Sequence, residues 1–158
     1  MASTTTWPKE LIVQKPDGTI SVNWSDCGLT DEVLEEFAAT RLPVLLAGLP
    51  SSGSKAIECT VDLSCNYLRN PGPLAALLRQ LREALVHITV IRLHKNKLGD
   101  MAAVVLAEHL QEAAAAGRAL MQLHLSNNSL SGHGIELLIE GAHRCSGYAR
   151  PADAPRGG

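Results

Sequence analysis

Four times along the chain a short alternation of apolar and polar residues gives way to apolar residues at helical spacing. The alternating pairs are Val22 and Trp24, Val61 and Leu63, Ile91 and Leu93, and Leu123 and Leu125. A period of two places each pair on one face of a strand. Downstream come Leu34, Phe37 and Ala38; Ala76 and Leu77; Ala103, Leu106 and Ala107; and Ile135, Leu138 and Ile139, at offsets that gather on one side of a helix. The pattern predicts strands near 20–24, 59–63, 89–93 and 121–125, each followed by a helix. Asp31 and Glu32 suit a first helical turn, Pro71-Gly72-Pro73 marks a second helix start, and Gly117 closes a helix over about 99–116.

Two further stretches punctuate this alternation. Lys15-Pro16-Asp17-Gly18 is a turn sequence between Glu10–Gln14 and Thr19–Asn23, so residues 7–18 are expected to form a β-hairpin cap whose antiparallel strand, near 10–14, covers the first sheet edge. Between Leu42 and Lys55, a helical turn near Val44–Leu49 is expected to lead into a Pro, Ser and Gly loop. Residues 1–6 and 144–158 carry little that could be buried and are expected to be disordered, leaving 19–143 as the repeat-bearing domain.

The strand-bearing segments share one phrase, L-x-L-x-x-N/C-x-L: Val22 to Leu29, Val61 to Leu68, Ile91 to Leu98 and Leu123 to Leu130. Its Asn/Cys position falls at Cys27, Asn66, Asn96 and Asn128, with spacings of 39, 30 and 32 residues. This phrase resembles the leucine-rich-repeat family. A spacing near 30 with helical second halves is similar to its ribonuclease-inhibitor-like subclass, as in NLR receptors and the Ran GTPase-activating protein. The resemblance spans residues 19–142 and implies an α/β fold: a short solenoid of about four strand-helix units, with a parallel sheet on its concave side and the hairpin as N-terminal cap. It also implies that the Asn/Cys side chains turn inward and satisfy backbone groups of the turn after each strand.

Twelve consensus positions form the expected core: Val22, Trp24, Leu29, Val61, Leu63, Leu68, Ile91, Leu93, Leu98, Leu123, Leu125 and Leu130. The residues between them are free to specify a partner, and they fall into columns across the units. One column is Asn23, Asp62, Arg92 and His124; the next is Ser25, Ser64, His94 and Ser126; a third is Asp26, Cys65, Lys95 and Asn127. From these, Asn23, Asp26, Asp62, Arg92, His94, Lys95, His124 and Asn127 are the candidate partner-binding residues.

Composition narrows the functions. Fourteen Lys and Arg against sixteen Asp and Glu give a net charge of −2, and aromatic residues make up 3%, which argues against nucleic-acid or membrane-surface binding. No apolar run approaches a membrane span, and residues 1–15 lack the pattern of a secretory signal, so a cytoplasmic location is expected. Cys27, Cys59, Cys65 and Cys145 form no CxxC pair and read as reduced thiols. The six histidines do not converge with carboxylates or thiols into a metal site or a catalytic triad, and no phosphate-binding glycine loop is present. The expectation is a non-catalytic protein-protein interaction module with no cofactor and no metal. Its partner is a protein, and the uncapped C-terminal unit is expected either to self-associate or to leave the chain marginally stable alone. The alternatives are a GTPase-activating-protein-like regulator of a small GTPase, or the N-terminal portion of a larger leucine-rich-repeat receptor or scaffold.

Overall fold

The computed structural model describes residues 12–50, 53 and 55–145. The expectations for residues 1–6, for Trp7, Glu10 and Leu11, for part of the 51–54 loop and for 146–158 lie outside the described residues. Five strands form one sheet in chain order: β1 (Ile12–Gln14), β2 (Ile20–Asn23), β3 (Ile57–Asp62), β4 (Val86–Arg92) and β5 (Gln122–His124). β1 pairs antiparallel with β2, and every other pairing is parallel.

The hairpin follows from its turn residues. Gly18 takes φ +86°, a conformation that penalises a Cβ, and its N–H donates to the Lys15 carbonyl at 3.0 Å. Asp17 Oδ1 accepts from the Thr19 N–H and hydroxyl at 2.9 and 2.6 Å, which pins the return of the chain and holds the Asp17 carboxyl below its usual range.

Parallel register places equivalent consensus positions side by side: Val22 against Val61, Val61 against Ile91, and Ile91 against Leu123. β3 and β4 start earlier than the alternation alone predicts, and their register shifts between Cys59 and Thr60, where Thr89 is the extra residue. The Thr89 carbonyl is used all the same, accepting from the Met121 N–H at 2.9 Å.

A helix follows each parallel strand. α1 (Asp31–Glu36) starts on Thr30, α3 (Pro71–Glu83) on Asn70 and α5 (Gly132–His143) on Ser131, each cap accepting a backbone N–H of the first turn; α4 (Asp100–Ala115) starts at Gly99. After α1 the chain widens into a π-helical turn, Phe37–Arg41, before α2 (Leu42–Ala47). Pro43 has no N–H to donate back one turn, and the Leu42 N–H reaches the Phe37 carbonyl, which absorbs the defect.

Helices pack against their successors, and their apolar sides meet the inward strand residues in a single core. Nine of the twelve expected core positions are buried, including Trp24, whose ring meets Phe37 edge-on with centroids 4.5 Å apart. Leu123, Leu125 and Leu130 are only half-buried, because no described strand or helix lies beyond β5 and α5 to close over them. Among the described residues no helix is long and apolar enough to cross a membrane.

Candidate interaction face

The turns that follow the strands set the shape of the candidate face. Hydrogen bonding between units continues past each strand: Trp24 N–H donates to Asp62 O, Asp26 N–H to Ser64 O, Leu63 N–H to Arg92 O, Cys65 N–H to His94 O, Leu93 N–H to His124 O and Lys95 N–H to Ser126 O, all within 2.8–3.0 Å. The chain then turns through a left-handed residue, at φ 53° for Asp26, 58° for Cys65, 56° for Lys95 and 56° for Asn127. This third column, which lies past the ends of the strands, is therefore a row of turn residues.

Buried asparagines hold these turns. Asn66 Oδ1 accepts from the Leu29 N–H at 2.8 Å and the Cys27 N–H at 3.2 Å, while its Nδ2 donates to the carbonyls of Trp24, Leu63 and Ser64. Asn96 accepts from the Leu68 N–H at 3.0 Å and donates to Leu63 and Leu93; Asn128 accepts from the Leu98 N–H at 3.1 Å and donates to Leu93 and Leu125. Each asparagine thus ties its own turn to the one before it. Cys27 departs from this expectation: it is exposed, and its Sγ–H donates only to the Ser25 carbonyl. Among the described residues the first unit has only the antiparallel hairpin on its outer side, and no earlier turn calls for a ligand there.

Helix starts are cross-linked in the same sense. The Asp31 carboxylate accepts the Arg69 and Asn70 N–H groups of the next unit, and Asp100 accepts the Ser131 N–H and hydroxyl, which holds the Asp100 carboxyl below its usual range.

Within this frame, the first column lies in register on adjacent strands: Asn23 beside Asp62, Asp62 beside Arg92, Arg92 beside His124. Asn23 and His124 are exposed and the other two half-buried. Arg92 Nη1 stands 3.9 Å from Asp62 Oδ2, a part-exposed pair worth less than about 1 kcal/mol. Asp62 Oδ1 is occupied otherwise, accepting the Ser64 N–H at 3.1 Å and its hydroxyl at 2.6 Å, and Asn23 Oδ1 likewise accepts the Ser25 N–H. Those two residues shape their own turns and face outward as well. His124 Nε2 contacts Gln122 Oε1 at 3.3 Å. In the second column Ser25 and Ser64 join hydroxyls at 3.0 Å, and His94 stands half-buried beside them.

One contact was not legible in the repeat phrase. Tyr67, 57% exposed, stands beneath Lys97, with Nζ 5.6 Å from the ring centroid. Both occupy the position between the buried asparagine and the last consensus Leu, a fourth outward column whose exposure follows from the inward turn of its neighbours.

Hollows occur elsewhere, among them one of about 310 Å³ lined by residues 17–19 and 55–58. A cavity of about 240 Å³ between α3, β4 and α4 is lined by Arg82, Val86, Ile88, His109, Glu112 and Arg118, below the range of roughly 300–1,000 Å³ usual for small-molecule sites. Its His109 is buried, and Arg82, which also pairs with Glu112, contacts His109 Nδ1 at 2.8 Å. Among the described residues no three His, Cys, Asp or Glu side chains gather to hold a metal ion.

The family model described as Leucine Rich Repeat matches residues 119–140, the segment holding β5, the Asn128 turn and most of α5. The match supports the leucine-rich-repeat family. It covers a single unit; the other strand-turn-helix units share its left-handed turn residue, and the second and third share its asparagine bonds. No curated protein matches the chain. Leucine-rich-repeat domains are generally non-catalytic interaction modules, and such a motif suggests protein-protein interaction.

Proposed function

We propose that the chain is a non-catalytic protein-protein interaction module, a short ribonuclease-inhibitor-like solenoid that binds a protein partner across the open face of its sheet, in the cytoplasm. The observation that supports this reading is the unbroken row Asn23, Asp62, Arg92 and His124, set in register on four adjacent strands with no described helix over it. Hydrogen bonds and rigid turns fix these side chains at their bases, so a partner meets a surface ordered in advance, which lowers the cost of association. Asp26, Asn127, His94 and Lys95 extend the row onto the turns.

The test is capture of partners from lysate followed by mass spectrometry, with wild type beside Arg92→Glu, His124→Ala and the helix variant Glu108→Arg. A partner lost with the first two and kept with the third supports the face. A partner that ignores the first two and is lost with Glu108→Arg overturns it and assigns the interface to the helices. A second role, self-association through the C-terminal unit, is supported by the exposure of Met121 (75%) and Ile139 (52%) beside β5.

A further inference from the structure

Charge is not spread evenly over the open face. Residues 84–99 and 113–135 contain no carboxylate, although the whole chain is slightly acidic. Those segments supply the strands and turns of the third and fourth units, and with them Arg92, His94, Lys95, Lys97 and His124. The acidic face residues, Asp26, Glu58 and Asp62, belong to the first two units. The first and third columns therefore both run from acid to base along the stack: Asn23, Asp62, Arg92, His124 and Asp26, Cys65, Lys95, Asn127.

The cations at the basic end are available. Lys95 is exposed on a left-handed turn residue whose backbone is fixed by the Ser126 carbonyl, and its ammonium has no hydrogen bond or ion pair among the described residues. Lys97 rests over the Tyr67 ring, an arrangement that positions its charge without neutralising it. Arg92 faces Asp62 at 3.9 Å, beyond hydrogen-bond range, and keeps its fork of N–H donors. Asp62 is the acidic neighbour of this group, and Ser64 already occupies its other oxygen. Tyrosine and arginine are also the residue types that recur at interface anchors.

We propose that Arg92, Lys95, Lys97 and Tyr67 form a docking site for an acidic linear segment of a protein partner, a run of Asp and Glu side chains lying across the second and third units. The inference rests on the interaction reading above and adds the chemistry of what is bound. Arg92 supplies bidentate recognition of a carboxylate, Lys95 and Lys97 supply two point charges on the turns, and Tyr67 supplies apolar area beside them.

The test uses the full chain and a fluorescent peptide of about ten residues rich in Asp and Glu, with a peptide carrying Asn and Gln in their place and a single-stranded oligouridine RNA as comparisons. Anisotropy is expected to show binding of the acidic peptide that weakens as salt rises, and little binding of the neutral peptide. The Lys95→Glu/Lys97→Glu double variant is expected to lose about tenfold or more in affinity, the Lys95→Arg/Lys97→Arg variant to keep it, and Arg79→Glu on α3 to leave it unchanged. Circular dichroism melts establish that each variant is folded. Absence of binding, equal binding of the neutral peptide, an equal loss with Arg79→Glu or tighter binding of RNA overturns the proposal. If a captured partner depends on Arg92 and His124 but is not displaced by the acidic peptide, this inference fails and the interaction reading stands. If the partner ignores the face altogether, the interaction reading fails first.

Discussion

The side-chain oxygen of Asn96 accepts the backbone N–H of Leu68 at 3.0 Å, across a gap of 28 residues, while the amide nitrogen of the same side chain donates to Leu63 and Leu93. One buried side chain thereby satisfies three backbone groups in two units, and it is 7% exposed. Asn96→Ala leaves those groups unpaired away from water and is expected to lower stability by about 1–3 kcal/mol. Asn128, half-buried at the outer unit, makes a similar set of bonds, yet water can replace part of it, so Asn128→Ala should cost less. Urea denaturation of both variants reads the difference, and equal losses would show that depth in the stack does not set the cost.

The asparagine ladder was legible from sequence because one residue type recurs at one offset between fixed apolar positions. What the phrase could not convey was its boundary condition. Cys27 fills the same slot but, with an antiparallel hairpin outside it, has no earlier turn to hold and is exposed. The alternation stops beyond the strands: Asp26, Cys65, Lys95 and Asn127 each follow directly on an outward residue, and their backbone lies in the left-handed region. The outward direction of the Asn23, Asp62, Arg92 and His124 column follows from period two alone. The Tyr67–Lys97 contact needs the distance between two turns, which no local pattern contains.

His109 gives a dependence on pH. Arginine can only donate, so its contact at Nδ1 requires a lone pair there, and the ring is neutral with its proton on Nε2. Burial, then the Arg82 charge, push the His109 pKa from 6.5 down to about 4. In the unfolded chain the group takes up its proton near 6.5, so the unfolded state binds more protons between these values. Stability from this residue is therefore complete above about pH 6.5, declines as pH falls toward 4, and is flat below. The loss is of the order of 3 kcal/mol. Melts across that window should show a smaller slope for His109→Leu than for wild type, and identical slopes would mean that the ring is charged or exposed in the fold.

Close packing of α4 on α5 rests on Gly141. A Cβ built there falls 2.9 Å from the Ala107 Cβ and 3.3 Å from its Cα, atoms that cannot swing aside. Gly141→Val must push the helices apart and is expected to destabilise the chain by about 1–3 kcal/mol. Ala107→Gly in the same chain should recover part of that loss, since it removes the atom in the way. A double variant no better than Gly141→Val alone would place the clash elsewhere.

The outer edge of the stack leads to the final expectation. Between units, the strand N–H groups two and four residues beyond each pair find carbonyls on the next strand, as Leu93 does with His124 and Lys95 with Ser126. β5 has no described strand beyond it, so the corresponding N–H groups of Leu125 and Asn127 face outward. Beside them stand Met121, Ile135 and Ile139, exposed by 75%, 43% and 52%, and a hollow of about 240 Å³ framed by Leu110, Leu120, Leu123 and Leu138. An unpaired strand edge next to exposed apolar side chains favours pairing with another edge. A second copy of the chain offers the same edge, and two β5 strands related by a two-fold axis run antiparallel and satisfy each other. Sedimentation velocity should therefore show a sedimentation coefficient that rises with concentration, and Ile139→Lys should return the chain to a monomer without lowering its melting temperature. A wild-type chain that stays monomeric at every concentration and melts high would show that the fourth unit is closed by its own residues.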